Sequence, residues 1–166
     1  AMKGGIGSAS LCVHGVTVAA LVVCNALGDI VDPQTGQLLA GARVSADSRA
    51  LRDIRQAQLT GHGIAKPLAG SNTTIGVVAT DAILTKPQAH RLAQVAHDGL
   101  ARSIRPVHTP MDGDTLFALG TGTSGQAADM MLLSTLAAEV TAMAVVNAVR
   151  AAKELRFGKG WWPAMG

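Results

Sequence analysis

The sequence predicts an α/β fold, a layered sandwich of strands with helices packed outside them. Three observations carry this. Val16-Thr17-Val18-Ala19-Ala20-Leu21-Val22-Val23-Cys24 is a near-continuous apolar run, which suits a strand buried on both faces. Ala89, Leu92, Ala93, Ala96, Leu100 and Ile104 recur at helical spacing. The coarse order of strands, linker, strand, helix, strand and helix then brings strands and amphipathic helices into one layered unit.

Taken in order, Leu11 to Asn25 reads as two short strands around a His14-Gly15 turn, the second being the 16–24 run. Asp32-Pro33-Gln34-Thr35-Gly36 reads as a turn, and Gln37 to Val44 as a further strand. Ser45 to Ser71 is polar and mixed, with Gly61, Gly63, Pro67 and Gly70. Leu51, Ile54 and Leu59 mark one short helix there, and the rest reads as a linker into Asn72. Thr74 to Thr80 is the next strand. Thr85 has the chemistry of an N-cap, Pro87 stands at a tolerated early helical position, and Pro106 ends the helix. A strand over Thr115 to Leu119, a Gly/Thr-rich turn and a long helix from about Ala127 to Leu155 follow. The tail, Lys159-Gly160-Trp161-Trp162-Pro163, is expected to be irregular.

With 166 residues the chain is long enough for a single domain over 1–166 with a sizeable core. It is 48% hydrophobic and has no Tyr, so that core must come from Val, Ile, Leu, Ala and Met. The apolar content does not argue for a membrane span. The 16–24 run is too short to cross a bilayer, and Met130 to Val149 is interrupted by Ser134, Thr135, Glu139, Thr141 and Asn147. Lys3 is followed by a Gly/Ser stretch with no apolar core of a signal peptide, which makes the cytoplasm the expected location.

Several function classes are disfavoured. A net charge of +3, with Arg and Lys scattered and not interleaved with aromatics, gives no nucleic-acid footprint. Cys12 and Cys24 have neither metal-ligand spacing nor a disulfide framework. His90 and His97 lie too far apart on one helix for a zinc pair, and are expected to be surface or packing residues. Gly4-Gly5-Ile6-Gly7 lacks the strand-before, helix-after context of a phosphate loop. No cofactor and no metal are expected.

The chemistry concentrates in two segments. One is Ser71-Asn72-Thr73-Thr74-Ile75-Gly76-Val77-Val78-Ala79-Thr80-Asp81. Alone, it reads as a capped loop feeding a strand. The other is Arg105-Pro106-Val107-His108-Thr109-Pro110-Met111-Asp112-Gly113-Asp114-Thr115, where Asp-Gly-Asp reads as a turn and lacks the spacing of a calcium loop. His108 is expected to serve loop hydrogen bonding near Asp112.

Together with Ala-Met-Lys-Gly-Gly-Ile-Gly-Ser-Ala-Ser at the start, and continuing back to Ala96, these segments resemble the DmpA family. That is the L-aminopeptidase/D-esterase-amidase group, which includes β-aminopeptidases and the 6-aminohexanoate-oligomer hydrolase. The resemblance covers nearly the whole chain in order. It implies an αββα sandwich of the N-terminal-nucleophile-like DmpA type. It also implies an inactive precursor whose backbone is cut before a Thr or Ser.

By position, the resemblance puts the cleavage site between Asn72 and Thr73 and makes Thr73 the nucleophile. Residues 1–72 then end the α-chain, with 45–72 as the linker to the cut, and 73–166 form the β-chain. Asn25 matches the family's active-site Asn. Asp112 and Asp114 match the polar pair that supports the nucleophile. Family precursors are longer and carry a catalytic Lys upstream of the Ala-Met-Lys-Gly-Gly match. Lys3 lies in the wrong part of the pattern to replace it, so this chain is expected to need a missing N-terminal segment. A small peptide or amide substrate and a homo-oligomer are the implied partners.

Elementary chemistry makes this arrangement intelligible. A hydroxyl is a poor nucleophile and needs a base. Cutting before Thr73 frees an α-amine with an ordinary pKa of about 7.7–8.0, on the same residue as the hydroxyl. An amide donor such as Asn25 could stabilise an oxyanion. Two aspartates two apart at the start of a strand would point the same way, toward an ammonium or the upstream Lys. Asn25 could equally close a strand into a turn. Acyl transfer of the ornithine acetyltransferase type, and an inert fragment serving only as a structural or assembly module, are the alternatives.

Overall fold

The computed structural model describes residues 1–62 and 72–165. The linker residues Gly63, Pro67, Gly70 and Ser71 lie outside them. Strands β1 (Gly5–Val13) and β2 (Val16–Cys24) form an antiparallel hairpin in unbroken register from Gly5↔Cys24 to Val13↔Val16. His14 and Gly15 both have positive φ, 50° and 77°, as the tightest hairpin turns require. The first strand thus begins at Gly5, six positions before the expected Leu11. Its opening residues are small for a packing reason. A Cβ on Gly5 or Gly7 would run into the backbone of Ala148 or Ala144 on the helix lying over them.

β5 (Ile75–Thr80) pairs antiparallel with β2, and β7 (Thr115–Gly120) runs parallel to β5, giving the sheet order β1-β2-β5-β7. Between β5 and β7 the chain crosses over as α2 (Lys86–Ser103). The Gln88 carboxamide oxygen accepts from both the Thr85 N–H (2.8 Å) and the Thr85 hydroxyl (2.9 Å), which fixes the helix start. α3 (Met130–Arg150) begins at Asp129, whose carboxylate accepts the N–H groups of Met131 and Leu132. It is shorter at both ends than the expected 127–155. α3 is long and apolar enough to cross a bilayer, but 67% of its apolar window is buried inside the protein.

Both helices pack on one face of the sheet, with α3 over β1 and β2 and α2 beside it over β7. Gly99 permits their close approach, since a Cβ there would lie 2.6 Å from that of Thr141. Val16, Val18, Ala20, Val22 and Cys24 of β2 are buried under this layer. The expectation that β2 is buried on both faces is not met. Leu21 and Val23 point the other way and are 49% and 42% exposed. The cross-strand neighbours on that face, Ile6, Ile75 and Phe117, are exposed as well. Among the described residues the four-stranded sheet therefore carries a helical layer on one face and a bare apolar face opposite.

A smaller sheet, β4-β3-β6, joins β3 (Asp29–Val31), β4 (Leu38–Ala40) and β6 (Ile104–Arg105). The expected 32–36 turn links β3 to β4, with Gly36 at φ 74°. The expected Gln37 to Val44 strand shortens to β4 because the chain then turns around the buried Asp29 carboxylate. That carboxylate accepts the Ala42 N–H at 2.9 Å and the Ile54 N–H at 2.6 Å. Burial pushes the Asp29 pKa up, against those two hydrogen bonds. Ile54 opens the short helix α1 (Ile54–Leu59), whose buried residues are Ile54 and Ala57.

The tail is not irregular. β8 (Leu155–Phe157) and β9 (Gly160–Trp162) form a small hairpin. The Trp161 ring sits among the guanidiniums of Arg43, Arg49 and Arg156, 4.9–5.7 Å from their central carbons.

Candidate active site

Strand register explains why distant residues meet. Val23 of β2 stands opposite Ile75 of β5, and Ile75 opposite Thr115 of β7. The end of β2 and the starts of β5 and β7 therefore lie at one end of the sheet. Asn25 follows β2, Thr73 and Thr74 precede β5, and Asp112 to Asp114 precede β7.

Backbone bonds knit these ends together. The Thr73 N–H donates to the Asn25 carbonyl (2.8 Å) and the Thr115 N–H to the Thr74 carbonyl (2.9 Å). The Asn72 carbonyl oxygen accepts two donors, the Thr73 hydroxyl at 2.7 Å and the Gly113 N–H at 3.0 Å. Gly113 is tightly placed, since a Cβ on it would stand 2.8 Å from Thr73 Oγ1.

The two aspartates take different partners. Asp114 Oδ1 accepts the Thr74 N–H at 2.9 Å, and its Oδ2 lies 3.1 Å from His108 Nδ1. Asp112 instead clasps its own loop, accepting the Thr109 N–H (3.0 Å) and hydroxyl (2.7 Å), with a longer 3.4 Å contact from the Leu27 N–H. His108 thus pairs with Asp114, not with its sequence neighbour Asp112. Its ring also packs against that of His97 on α2, with centroids 5.0 Å apart. Burial, and then the proximity of His108, hold the His97 pKa below the usual imidazole range.

A cavity of about 210 Å³ adjoins the site, with Lys3, Asn25, Gly28, Asn72 and Val149 among its lining residues. Lys3 therefore lines the same cavity as Asn25, with its ammonium on the Gly4 carbonyl at 3.3 Å. Cys24, just before Asn25, is buried, and burial pushes its thiol pKa up. Cys12 is free and exposed. Among the described residues no three His, Cys, Asp or Glu side chains gather as a metal site would need.

Two contacts had no signal in the sequence. The Gly113 N–H on Asn72 is a backbone group, and only the glycine between two acids hints at close approach. The Asn25 contact to Thr73 is likewise through its carbonyl.

The arrangement brings a hydroxyl and a backbone donor onto one peptide carbonyl, beside a buried carboxylate. The profile of Peptidase family S58 matches residues 1–161. An uncharacterized aminopeptidase of Mycobacterium leprae is 51% identical over 123 residues, which covers 73% of this chain and 33% of that protein. A 6-aminohexanoate-oligomer endohydrolase of Paenarthrobacter ureafaciens is 32% identical over 120 residues, 70% of this chain and 33% of that protein. The solved L-aminopeptidase D-Ala-esterase/amidase of Ochrobactrum anthropi, a variant of the Ntn hydrolase fold, superposes with a TM-score of 0.65 at 25% identity. That alignment covers 98% of this chain and 45% of the other. The chain spans less than half the length of each of these proteins. By the extent of the profile match and the identity to these relatives, the chain belongs to peptidase family S58.

Proposed function

We propose that this chain works as the C-terminal part of a precursor of an N-terminal-nucleophile amidohydrolase or aminopeptidase. The precursor cuts itself between Asn72 and Thr73 and then uses Thr73 on amide and ester bonds of short peptides or amino-acid amides. The observation that carries this reading is the Asn72 carbonyl, held at 2.7 Å by the Thr73 hydroxyl and at 3.0 Å by the Gly113 N–H.

In the self-cutting step Thr73 Oγ1 attacks the Asn72 carbonyl carbon. The oxygen gains negative charge where the Gly113 N–H already points, so that donor serves the tetrahedral state without reorganising. The C–N bond breaks, leaving an ester on Oγ1 and a free amine on Thr73. Water opens the ester to give the Asn72 carboxylate and the Thr73 hydroxyl. The base for this step is assigned to the upstream Lys that the family resemblance implies.

After cleavage the Thr73 amine accepts the hydroxyl proton as Oγ1 attacks a substrate carbonyl, then passes it to the leaving amine. The Asn25 carbonyl, already 2.8 Å from Thr73 N, would hold that amine in place. Water releases the acyl group. Asn25 donates to the substrate oxyanion through its side chain, and Asp114 fixes the backbone next to the nucleophile.

On this reading one product ends at Asn72 and the other begins at Thr73. The bare face carrying Ile6, Leu21, Val23, Ile75 and Phe117 is covered by a second sheet from the preceding part of the precursor, completing the αββα sandwich. The cut protomers assemble as a homo-oligomer in the cytoplasm.

The test is turnover of a panel of α-, β- and ω-amino-acid amides by the full-length protein, wild type and variant prepared alike. Wild type should release amine from at least one member, and Thr73→Ala from none. Full turnover by Thr73→Ala would remove the nucleophile assignment.

A further inference from the structure

We propose that His108 is a positioning residue for the nucleophile. Its ring N–H fixes the Asp114 carboxylate so that the other oxygen of that carboxylate holds the backbone of Thr74, next to Thr73. This role rests on the self-cleavage reading above and adds a residue to it.

The geometry is a three-part chain. His108 Nδ1 meets Asp114 Oδ2 at 3.1 Å, and Asp114 Oδ1 meets the Thr74 N–H at 2.9 Å. An ionised carboxylate only accepts, so the ring nitrogen is the donor. The Asp114 side chain is 4% exposed, whereas His108 is 39% exposed. A carboxylate so far out of water depends on its protein donors for its orientation. Of its two oxygens, one is tied to the nucleophile's neighbour and the other to His108. Removing His108 frees the carboxylate to turn and lets the 73–74 backbone drift.

The residue is also held at a conformational cost. His108 has φ 54°, in the left-handed region that most side chains avoid and that His, Asn and Asp tolerate best. Non-glycine residues kept there carry a backbone cost, and their surroundings must over-determine them. Here the ring is fixed on two sides, by Asp114 and by the His97 ring 5.0 Å away. The titratable groups facing it are Asp114 from the start of β7 and His97 from α2, with Asp98 beside His97 acting on that ring. A histidine serving only to turn the loop would need neither contact.

Three substitutions separate the ring's donor from the backbone turn. His108→Gly relieves the left-handed backbone but has no donor. His108→Ala lacks the donor and keeps the strain. His108→Asn tolerates the same backbone and places an N–H donor near the position of Nδ1. The measurement is the rate at which the full-length precursor splits at Asn72/Thr73, followed by intact mass, with melting temperature taken alongside.

His108→Gly and His108→Ala should split at least about tenfold more slowly than wild type, because sub-ångström misplacement of reacting groups is costly. His108→Asn should stay within about threefold. Splitting of His108→Gly at the wild-type rate would overturn the proposal and leave His108 a turn residue. So would a His108→Asn variant that melts normally but splits as slowly as His108→Gly. A wild-type precursor that never splits would instead remove the self-cleavage reading itself.

Discussion

The backbone N–H of Gly113 donates to the Asn72 carbonyl oxygen across 3.0 Å, joining the loop before β7 to the peptide bond before Thr73. The same glycine leaves no room for a side chain. Its missing Cβ would stand 2.8 Å from Thr73 Oγ1, closer than real Cβ atoms come. One residue thus supplies both a donor and the space for the hydroxyl.

Gly113→Ala should therefore slow self-cleavage of the full-length precursor by about 10²-fold, the scale of a 1 Å misplacement at a reacting centre. Time-resolved intact mass checks this. Splitting at the wild-type rate would show that the loop yields without cost.

Asn25→Ala should lower turnover by about 10²–10³-fold while the protein still folds, because the lost amide donor serves charge that exists only in the tetrahedral state. The contact from the Thr73 N–H to the Asn25 carbonyl survives the change, since it is backbone. Asp114→Asn should slow both splitting and turnover, because the amide keeps only one acceptor for two donors. Steady-state rates on an amide panel decide these cases. Full turnover by Asn25→Ala would leave Asn25 a turn residue.

Asp29→Asn should cost about 1–3 kcal/mol, because one of the Ala42 and Ile54 N–H groups loses its acceptor in a buried site. The pH dependence has a definite sign. Burial raises the folded pKa of Asp29 above its unfolded value, so its stabilising contribution is full at low pH and is lost as pH rises through the raised value. The wild type's advantage over Asp29→Asn should shrink as pH rises from about 4 toward neutrality. Thermal melts of both proteins across that range check it, and a constant difference would contradict it.

His97 has the opposite sign of charge and its own window. Its folded pKa is lowered, chiefly by burial and then by His108. The neutral ring therefore stabilises the fold above the unfolded value of about 6.5, and that contribution is lost as pH falls through the folded value. His97→Gln should flatten the acid-side fall in melting temperature. An unchanged acid limb would show that His97 does not carry it.

Much of this was legible in the sequence, for identifiable reasons. The 16–24 run, the α2 stripe and the caps at Thr85 and Pro87 carry local signals that tertiary packing did not override. The bare face was not legible, because Leu21 and Val23 are as apolar as the buried Val18 and Val22 and so hide the alternation. The early start of β1 was masked by Gly5 and Gly7, which are small because α3 lies directly over them. The β8–β9 hairpin depends on Arg43 and Arg49, more than a hundred positions away. Thr73, Asn25, Asp112 and Asp114 could be named from resemblance. Their hydrogen bonds could not, because they follow from the register of β2, β5 and β7 and run largely through backbone atoms.

Thr73 is both the site and the agent of cleavage on this reading, and intact mass of the purified full-length precursor decides it. Wild type should give two chains in equal amounts, one ending at Asn72 and one beginning at Thr73, and Thr73→Ala a single uncut chain. A wild-type protein that stays whole, or a Thr73→Ala variant that splits as well as wild type, would contradict it.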